Sequence, residues 1–298
     1  MTVSLAVVVC SRDRPQQLRE CLRTVVAQDA DDIVVVDSAS TTAATAEAAG
    51  EAGVRCIRAD VPGLAHARNV AMRATGADVV AFTDDDCQPE PGWARAIRSQ
   101  FVAGDGVGER VGFVVGRVVA AGGGEPVSVV LDAFPRTYGA DDDPSHIGHG
   151  ANLAVSRACW DSLGGFDDML GVGAELRSGE DTDFLWRALR EGWIGRYDPH
   201  AAVSHEQWRD RRAALATSYG YGVGAGAVRT KVRRLGGSQA ARDFAAGSVR
   251  ATLRQAGTDL RAGYEFGFAS SVMRAVGLIV GRTTASRLPL VHGHLTPR

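Results

Sequence analysis

The sequence predicts an α/β fold in which a mostly parallel sheet is flanked by helices and followed by a basic helical segment. Three features predict it. Leu5–Cys10, Ile33–Val36 and Val79–Thr83 are unbroken apolar runs rich in β-branched residues, as in strands buried on both faces. Stretches with helical spacing of apolar residues alternate with such runs, the pattern of a parallel sheet with crossover helices. Carboxylates stand just past two of the runs, at Asp37 and at Asp84-Asp85-Asp86, where sheets of this kind bind ligands.

The elements follow in order. Leu5–Cys10 is the first strand; Pro15 opens a helix through Leu18, Cys21, Leu22, Val25 and Val26. Ile33–Val36 is the second strand, after which Ser40-Thr41-Thr42 can cap an alanine-rich helix. Val54–Ile57 is a short third strand. Leu64–Ala74 is helical and stops at Gly76. Val79–Thr83 is the fourth strand, and Pro91-Gly92-Trp93 starts the next helix. Val111–Val119 is a strand, residues 120–147 read as a Gly-, Asp- and Pro-rich loop, and Gly148–Val155 is strand-like. Arg157–Leu163 and Glu180–Arg190 are helices, Ala201–Ser204 is a short strand, and the chain from Gln207 is helical and arginine-rich. Trp160, Phe166 and Trp193 read as core residues and not as stacking platforms.

Composition bounds the class. Of 298 residues, 45% are hydrophobic and 23% charged, so disorder is not expected. The five cysteines form no C-x-x-C pair, which argues against a disulfide framework or a thiolate zinc site and fits a reducing compartment. The start of the chain has no basic region before its short apolar run and reads as a strand, not a leader. Val272–Val280, interrupted by Arg274, is too short to span a bilayer. The net charge of −2 hides an asymmetry: residues 1–205 carry 18 arginines against 30 carboxylates, and residues 206–298 carry 15 basic groups against 5 acidic ones. A basic tail of this kind (Arg209, Arg211, Arg212, Arg229, Lys231, Arg233, Arg234) points to an anionic membrane surface or an anionic acceptor, or else neutralises the acidic body. Few aromatics stand among its arginines, so nucleic acid is not expected.

Several groups of residues carry chemistry. Three carboxylates in a row repel one another unless a cation or solvent intervenes. Oxygen donors at a strand end suit Mg²⁺ or Mn²⁺ alongside a phosphorylated substrate, although a solvated acidic turn uses the same residues. Asp37 suits hydrogen bonds to a base or ribose, or simply begins a turn. Arg68 has the fork that phosphates accept, or lies exposed on its helix. Glu180 and Asp181 open a helix, where the dipole keeps a carboxylate ionised, as a general base requires and as plain capping also does. His205 is a possible metal ligand or an ordinary histidine.

Taken together, these segments resemble the inverting glycosyltransferases of family two, which have the GT-A fold, a Rossmann-like arrangement. Val7–Pro15 resembles the opening strand and nucleotide loop, and Val36-Asp37-Ser38-Ala39-Ser40 the base-binding segment. Ala67-Arg68-Asn69 resembles the Arg-Asn step, and Phe82–Asp86 with Pro89 the D-x-D motif. Gly150–Val155 and Gly164–Asp167 resemble the acceptor-side strand and loop, and Gly179–Asp183 the segment that supplies the base. The resemblance spans about residues 3–210. Gln207-Trp208-Arg209 has the residue types of the processive synthases' signature in the wrong spacing, so polymer extrusion is not expected.

The resemblance implies a GT-A unit over residues 1–206, with a nucleotide-sugar half about 1–119 and an acceptor half about 120–206, and a helical extension over 207–298. It implies a UDP-, GDP- or dTDP-sugar donor and a divalent cation, Mn²⁺ or Mg²⁺. Asp181 would be the base. Ser11, Arg12, Arg14, Asp37, Arg68, Asp84 and Asp85 would hold the donor. Asn152 and Glu180 would lie on the acceptor side, and Asp84, Asp86 and His205 at the metal. It also implies work in the cytoplasm or at the inner membrane face. Two other enzymes fit less well. A phosphatase of the haloacid dehalogenase type needs Thr or Val where Gln88 stands, and a sugar-nucleotide pyrophosphorylase needs glycines in the Ser11–Pro15 loop. A non-catalytic module on the same fold is opposed by the intact Asp cluster and Glu180-Asp181.

Overall fold

A computed structural model of the chain describes residues 3–102, 110–123, 128–244 and 248–297. The first four strands are β1 (Leu5–Ser11), β2 (Asp32–Ser38), β3 (Arg55–Ala59) and β4 (Val79–Asp84). They pair in parallel in the order β3-β2-β1-β4. Their connections run through α1 (Pro15–Val25), α2 (Ala44–Glu51) and α3 (Leu64–Ala74). Alternation along β1 explains the two layers of core. Ala6 and Val8 join Val34, Val36 and α3 residues on one face, while Leu5, Val7 and Val9 join Val35 and α1 on the other. A strand with both faces covered needs an unbroken apolar run, which is what the sequence holds.

The sheet continues beyond β4 through β8 (Asn152–Ser156), β6 (Val111–Ala121), β9 (Ile194–Glu206) and β5 (Cys87–Pro89), with β7 (Arg136–Tyr138) also on β9. The β4–β8 and β8–β6 pairs are antiparallel, and β6–β9 is parallel again. Helices α4 (Trp93–Val102), α5 (Arg157–Leu163) and α6 (Glu180–Arg190) cover it. Three sequence expectations are corrected. The short strand at Ala201–Ser204 is part of a 13-residue strand, because its register on β6 shifts at Gly116/Arg117 and lets pairing resume past Pro199. Ser40-Thr41-Thr42 does not supply the cap of α2, whose N-cap is Ala43 with no side-chain bond. The expected 120–147 loop contains β7 and a 3₁₀ turn at Pro144–His146, and its residues 124–127 lie outside the described residues.

Register brings the strand ends together. Ser11 lies opposite Asp37, Cys10 opposite Asp84, and Cys87 opposite His205. Segments far apart in sequence thereby meet at one edge of the sheet.

The C-terminal part consists of α7 (Arg211–Asp243, broken at Gly237), α8 (Val249–Arg261), α9 (Glu265–Arg287) and a hairpin of β10 (Leu290–Val291) and β11 (His294–Leu295). Helices α7 and α9 pack backbone to backbone. A methyl group on Gly222 would fall 2.2 Å from the Arg274 carbonyl, and one on Gly281 would fall 1.9 Å from that of Val223. The helices also bury Lys231, which is 0% exposed. Its Nζ donates to Asp167 Oδ2 at 2.6 Å and lies 2.8 Å from Asp183 Oδ1. The Leu295 amide donates to the same Asp167 oxygen at 2.8 Å, and Asp183 also pairs with Arg187 at 2.9 Å. This corrects the place given to Lys231 in a surface-binding tail: it is a core group, stable there because two carboxylates compensate it. Among the described residues, no helix is long and apolar enough to cross a membrane.

Candidate active site

Two cavities lie at the carboxyl ends of the strands. The smaller, about 230 Å³, is lined by Ser11, Arg12, Arg14, Asp85, Asp86 and Arg209, among others. The larger, about 420 Å³, is lined by Arg68, His149, Gly150, Glu180, Asp181 and residues of α7 and α9. Asp84, Leu64 and Val172 line both, so the cavities adjoin there.

In the smaller cavity the carboxylates are held by cations and donors. Ser11 Oγ donates to Asp85 Oδ2 at 2.7 Å, and Arg14 Nη1 donates to Asp85 Oδ1 at 2.8 Å. The same Arg14 atom lies 3.3 Å from Asp86 Oδ2, which also accepts Trp208 Nε1 at 2.8 Å. Burial pushes the Asp85 carboxyl up to about 6, against the charge of Arg14. Burial would raise Asp86 too, but its bonds from His205 and Trp208 and the charge of Arg14 hold it below the usual carboxylate range. Arg12 is exposed and 3.7 Å from Asp13. Asp37 is buried beside Ser11 in the sheet, where Oδ1 accepts the Ser40 amide at 2.9 Å and Oδ2 accepts Arg58 Nη1 at 2.6 Å.

The donor set suits a hard divalent cation. Asp86, Cys87 and His205 bring ligand atoms within 4.8 Å of one another, and Asp86 Oδ1 is 3.3 Å from His205 Nε2. Cys87 is a poor member, since burial and the charges of Asp84 and Asp86 push its thiol well above its ordinary value and keep it protonated. Asp84, 33% exposed, lies outside this cluster, and its Oδ1 is 3.7 Å from Arg68. Carboxylate oxygens with one imidazole fit Mn²⁺ or Mg²⁺ better than a thiolate metal.

In the larger cavity Arg68 organises the wall. It is 1% exposed; Nη1 donates to Glu180 Oε1 and Nη2 to the Gly150 carbonyl, both at 2.9 Å, and Nη2 lies 3.7 Å from Asp84 Oδ1. Arg68, expected near donor phosphates, thus has its fork engaged by protein groups and lines the larger cavity. Gly150 permits the approach, since a methyl group there would fall 2.5 Å from the guanidinium. The Gly150 amide donates to Asp181 Oδ2 at 2.8 Å, so one residue links Arg68 to Asp181. Asp181 Oδ1 accepts the Thr182 amide at 2.6 Å. The N-cap of α6 is Gly179, at φ 88°, so neither Glu180 nor Asp181 is the cap; both lie in the first turn, near the positive end of the dipole. His149 is pushed down by burial, against the charge of Asp181.

Asn152, expected beside the acceptor, is also corrected. It is 1% exposed, and its amide donates to the Arg117 and Ala201 carbonyls at 2.9 and 2.7 Å and accepts Trp93 Nε1 at 2.9 Å. It ties three strands together beneath the site. Trp208 had no expected role at the site, and Arg209 was expected only as part of the basic tail. Both reach Asp86, and the Arg14 and Arg209 guanidiniums each lie 4.6 Å from the Trp208 ring centre. The available signal was their position three and four residues past His205.

Burial, then the charge of Asp181, pushes the Glu180 carboxyl up to about 7, against Arg68. The folded state thus holds this proton more tightly than the unfolded chain, with its ordinary value of 4.5. The resulting stability is complete below that value and is lost as pH rises through the folded value. Thermal melts from pH 5 to pH 8 are expected to show native protein losing stability relative to Glu180→Gln as pH rises, with a plateau at the alkaline end. Parallel curves for the two proteins would contradict this assignment.

Comparison with known proteins agrees with this arrangement. A family model described as glycosyl transferase family 2 matches residues 6–157. Pre-mycofactocin glycosyltransferases from two strains of Mycobacterium tuberculosis are 31% identical over 169 residues, covering 54% of this chain; the chain spans 33% of their length. Similar solved structures include the mannosyltransferase PcManGT from Pyrobaculum calidifontis in complex with GDP-Man and Mn²⁺, with TM-score 0.63, 20% identity, and 96% of this chain and 88% of that one covered. GalNAc-T7 with UDP, GalNAc and Mn²⁺ has TM-score 0.56 and 14% identity, covering 88% of this chain and 58% of that one. These structures share the GT-A fold. With the family model matching just over half of its residues, this chain belongs to glycosyl transferase family 2.

Proposed function

We propose that the chain moves a sugar from a nucleoside-diphosphate sugar to an acceptor hydroxyl in one displacement, with inversion at the anomeric carbon and with a divalent cation bound beside the donor. The observation that carries this reading is the meeting of the two cavities at Asp84. One has a cationic and carboxylate lining suited to a diphosphate and its cation; the other contains Asp181. Ser11, Arg12, Arg14 and Arg209 hold the diphosphate, and the Asp37–Arg58 pair faces the nucleoside. Asp84, Asp86 and His205 would hold the cation, which when bound offsets negative charge on the departing nucleoside diphosphate. The PcManGT and GalNAc-T7 complexes contain Mn²⁺, which supports that cation here.

Asp181 takes the proton of the acceptor hydroxyl. The oxygen then bonds to the anomeric carbon as the bond from that carbon to the diphosphate oxygen breaks on the opposite side. Glu180, tied to Arg68, keeps its neighbour in place. A general base contributes roughly 10²–10⁴-fold. Asp181→Asn is therefore expected to lose transfer by about that factor while binding nucleotide normally, and product NMR is expected to show the anomeric configuration opposite to the donor's. Retained configuration, or full transfer by the variant, would refute the displacement.

The basic C-terminal part supports peripheral contact with an anionic membrane. A groove along α8 is lined by Arg250, Arg254, Arg261 and Arg282, and Leu253 and Leu260 are exposed at 53% and 58% on the same helix. The protein is expected to float with phosphatidylglycerol vesicles at low salt and to be released at high salt. Absence from the vesicle fraction at low salt would remove this partner.

A further inference from the structure

Helices α7 and α9 contribute to the wall of the larger cavity, and the exposed Arg274 is among their lining residues. The backbone of this arginine is fixed by the close helix crossing, since its carbonyl packs on Gly222. Ser218 and Ser270 line the same cavity with their hydroxyls 2.7 Å apart, and Ser218 Oγ is also 3.0 Å from the Ala214 carbonyl. The other cations about the site are matched: Arg14 by Asp85, Arg68 by Glu180, Arg187 by Asp183 and Lys231 by Asp167. Among the described residues, no carboxylate pairs with Arg274.

We propose that the acceptor carries an anionic group, a phosphate or a carboxylate, and that Arg274 receives it with the Ser218 and Ser270 hydroxyls while the reacting hydroxyl faces Asp181. The charges lining the cavity support this: Glu180 is matched by Arg68, Asp84 and Asp181 disfavour an anion beside them, and Arg274 is the lining arginine with no carboxylate partner among the described residues. A neutral acceptor filling the cavity would strip water from Arg274 and return no partner to it. An anionic acceptor gains a forked, charge-assisted contact. The inference rests on the transferase reading and adds to it the chemical class of the acceptor and the residue that selects it.

The test uses the full chain with Arg12→Gln and Arg209→Gln, which removes two cations lining the smaller cavity, keeps Arg14 on Asp85 and Asp86, and changes no residue that lines the larger cavity. Inorganic phosphate and acetate are titrated into this protein by calorimetry. Saturable binding of one of them is expected, weakened at least tenfold by Arg274→Gln and partly kept by Arg274→Lys. Binding of phosphate but not acetate assigns a phosphorylated acceptor, and the reverse a carboxylate. A short-chain phosphatidic acid is titrated alongside. If it binds more tightly than inorganic phosphate, and Arg274→Gln abolishes this, the phosphate belongs to a lipid headgroup; equal or weaker binding places it on a soluble acceptor. Absence of binding by both anions, or binding indifferent to Arg274→Gln, overturns the proposal. Nucleotide binding with Mn²⁺ by the single Arg274→Gln protein separates the two levels. If it persists while the anion result is negative, only this inference fails; if native protein also binds no nucleotide, the transferase reading fails with it.

Discussion

Arg68 and Glu180 form an ion pair of 2.9 Å between two almost fully buried side chains, and the positions of the surrounding groups depend on it. The sheet brings Asp84, Asp85 and Asp86 to one edge, and α6 brings Glu180 and Asp181 to face them. Such a cluster does not fold unless its repulsion is offset. Arg68 reaches Glu180 directly, Asp84 at longer range, and Asp181 through the carbonyl and amide of Gly150. Arg14, Arg209 and His205 do the same for Asp85 and Asp86. The outcome is a graded set of acids: Asp86 is held down by its donors, Asp85 is raised to about 6, and Glu180 to about 7. Removing one member of a buried pair of this kind costs roughly 3–5 kcal/mol, because it leaves the other unpaired.

A second buried ion cluster secures the other half of the site. Lys231 on α7 meets Asp183 on α6 and Asp167 in the loop before it, and the final hairpin bonds to Asp167. The helix that presents Asp181 is thereby tied to the helices that contribute to the wall of the larger cavity. The C-terminal helices are part of the site's scaffold, and their glycine-based crossing sets how closely that wall approaches.

Much of this was legible in the sequence, for identifiable reasons. The first four strands are buried on both faces, so their apolar runs are unbroken, and the acidic residues after β2 and β4 stand at the strand ends by simple counting. Glu180–Arg190 was bounded correctly because its polar first turn precedes a helical apolar pattern. What escaped depended on contacts across the chain. Asn152 and Arg68 have residue types that suit ligand contact, and only tertiary structure shows their hydrogen-bonding groups engaged by protein. Lys231 looks like one more charge in a basic tail, because its two carboxylates lie 48 and 64 residues earlier. Trp208 stands three residues past His205, but the spacing of its motif pointed away from a role. The pairs Gly222–Gly226 and Gly277–Gly281 each bring small residues to one helix face, a cue to the close crossing that composition alone conceals.

The most direct test of the account is calorimetric titration of UDP, GDP and dTDP into the native protein and into Asp86→Asn, each with Mn²⁺ and with EDTA. The account predicts that one nucleotide binds, that EDTA abolishes most of that binding, and that Asp86→Asn does the same with Mn²⁺ present. Binding indifferent to both the metal and Asp86, or no binding of any of the three, would contradict it.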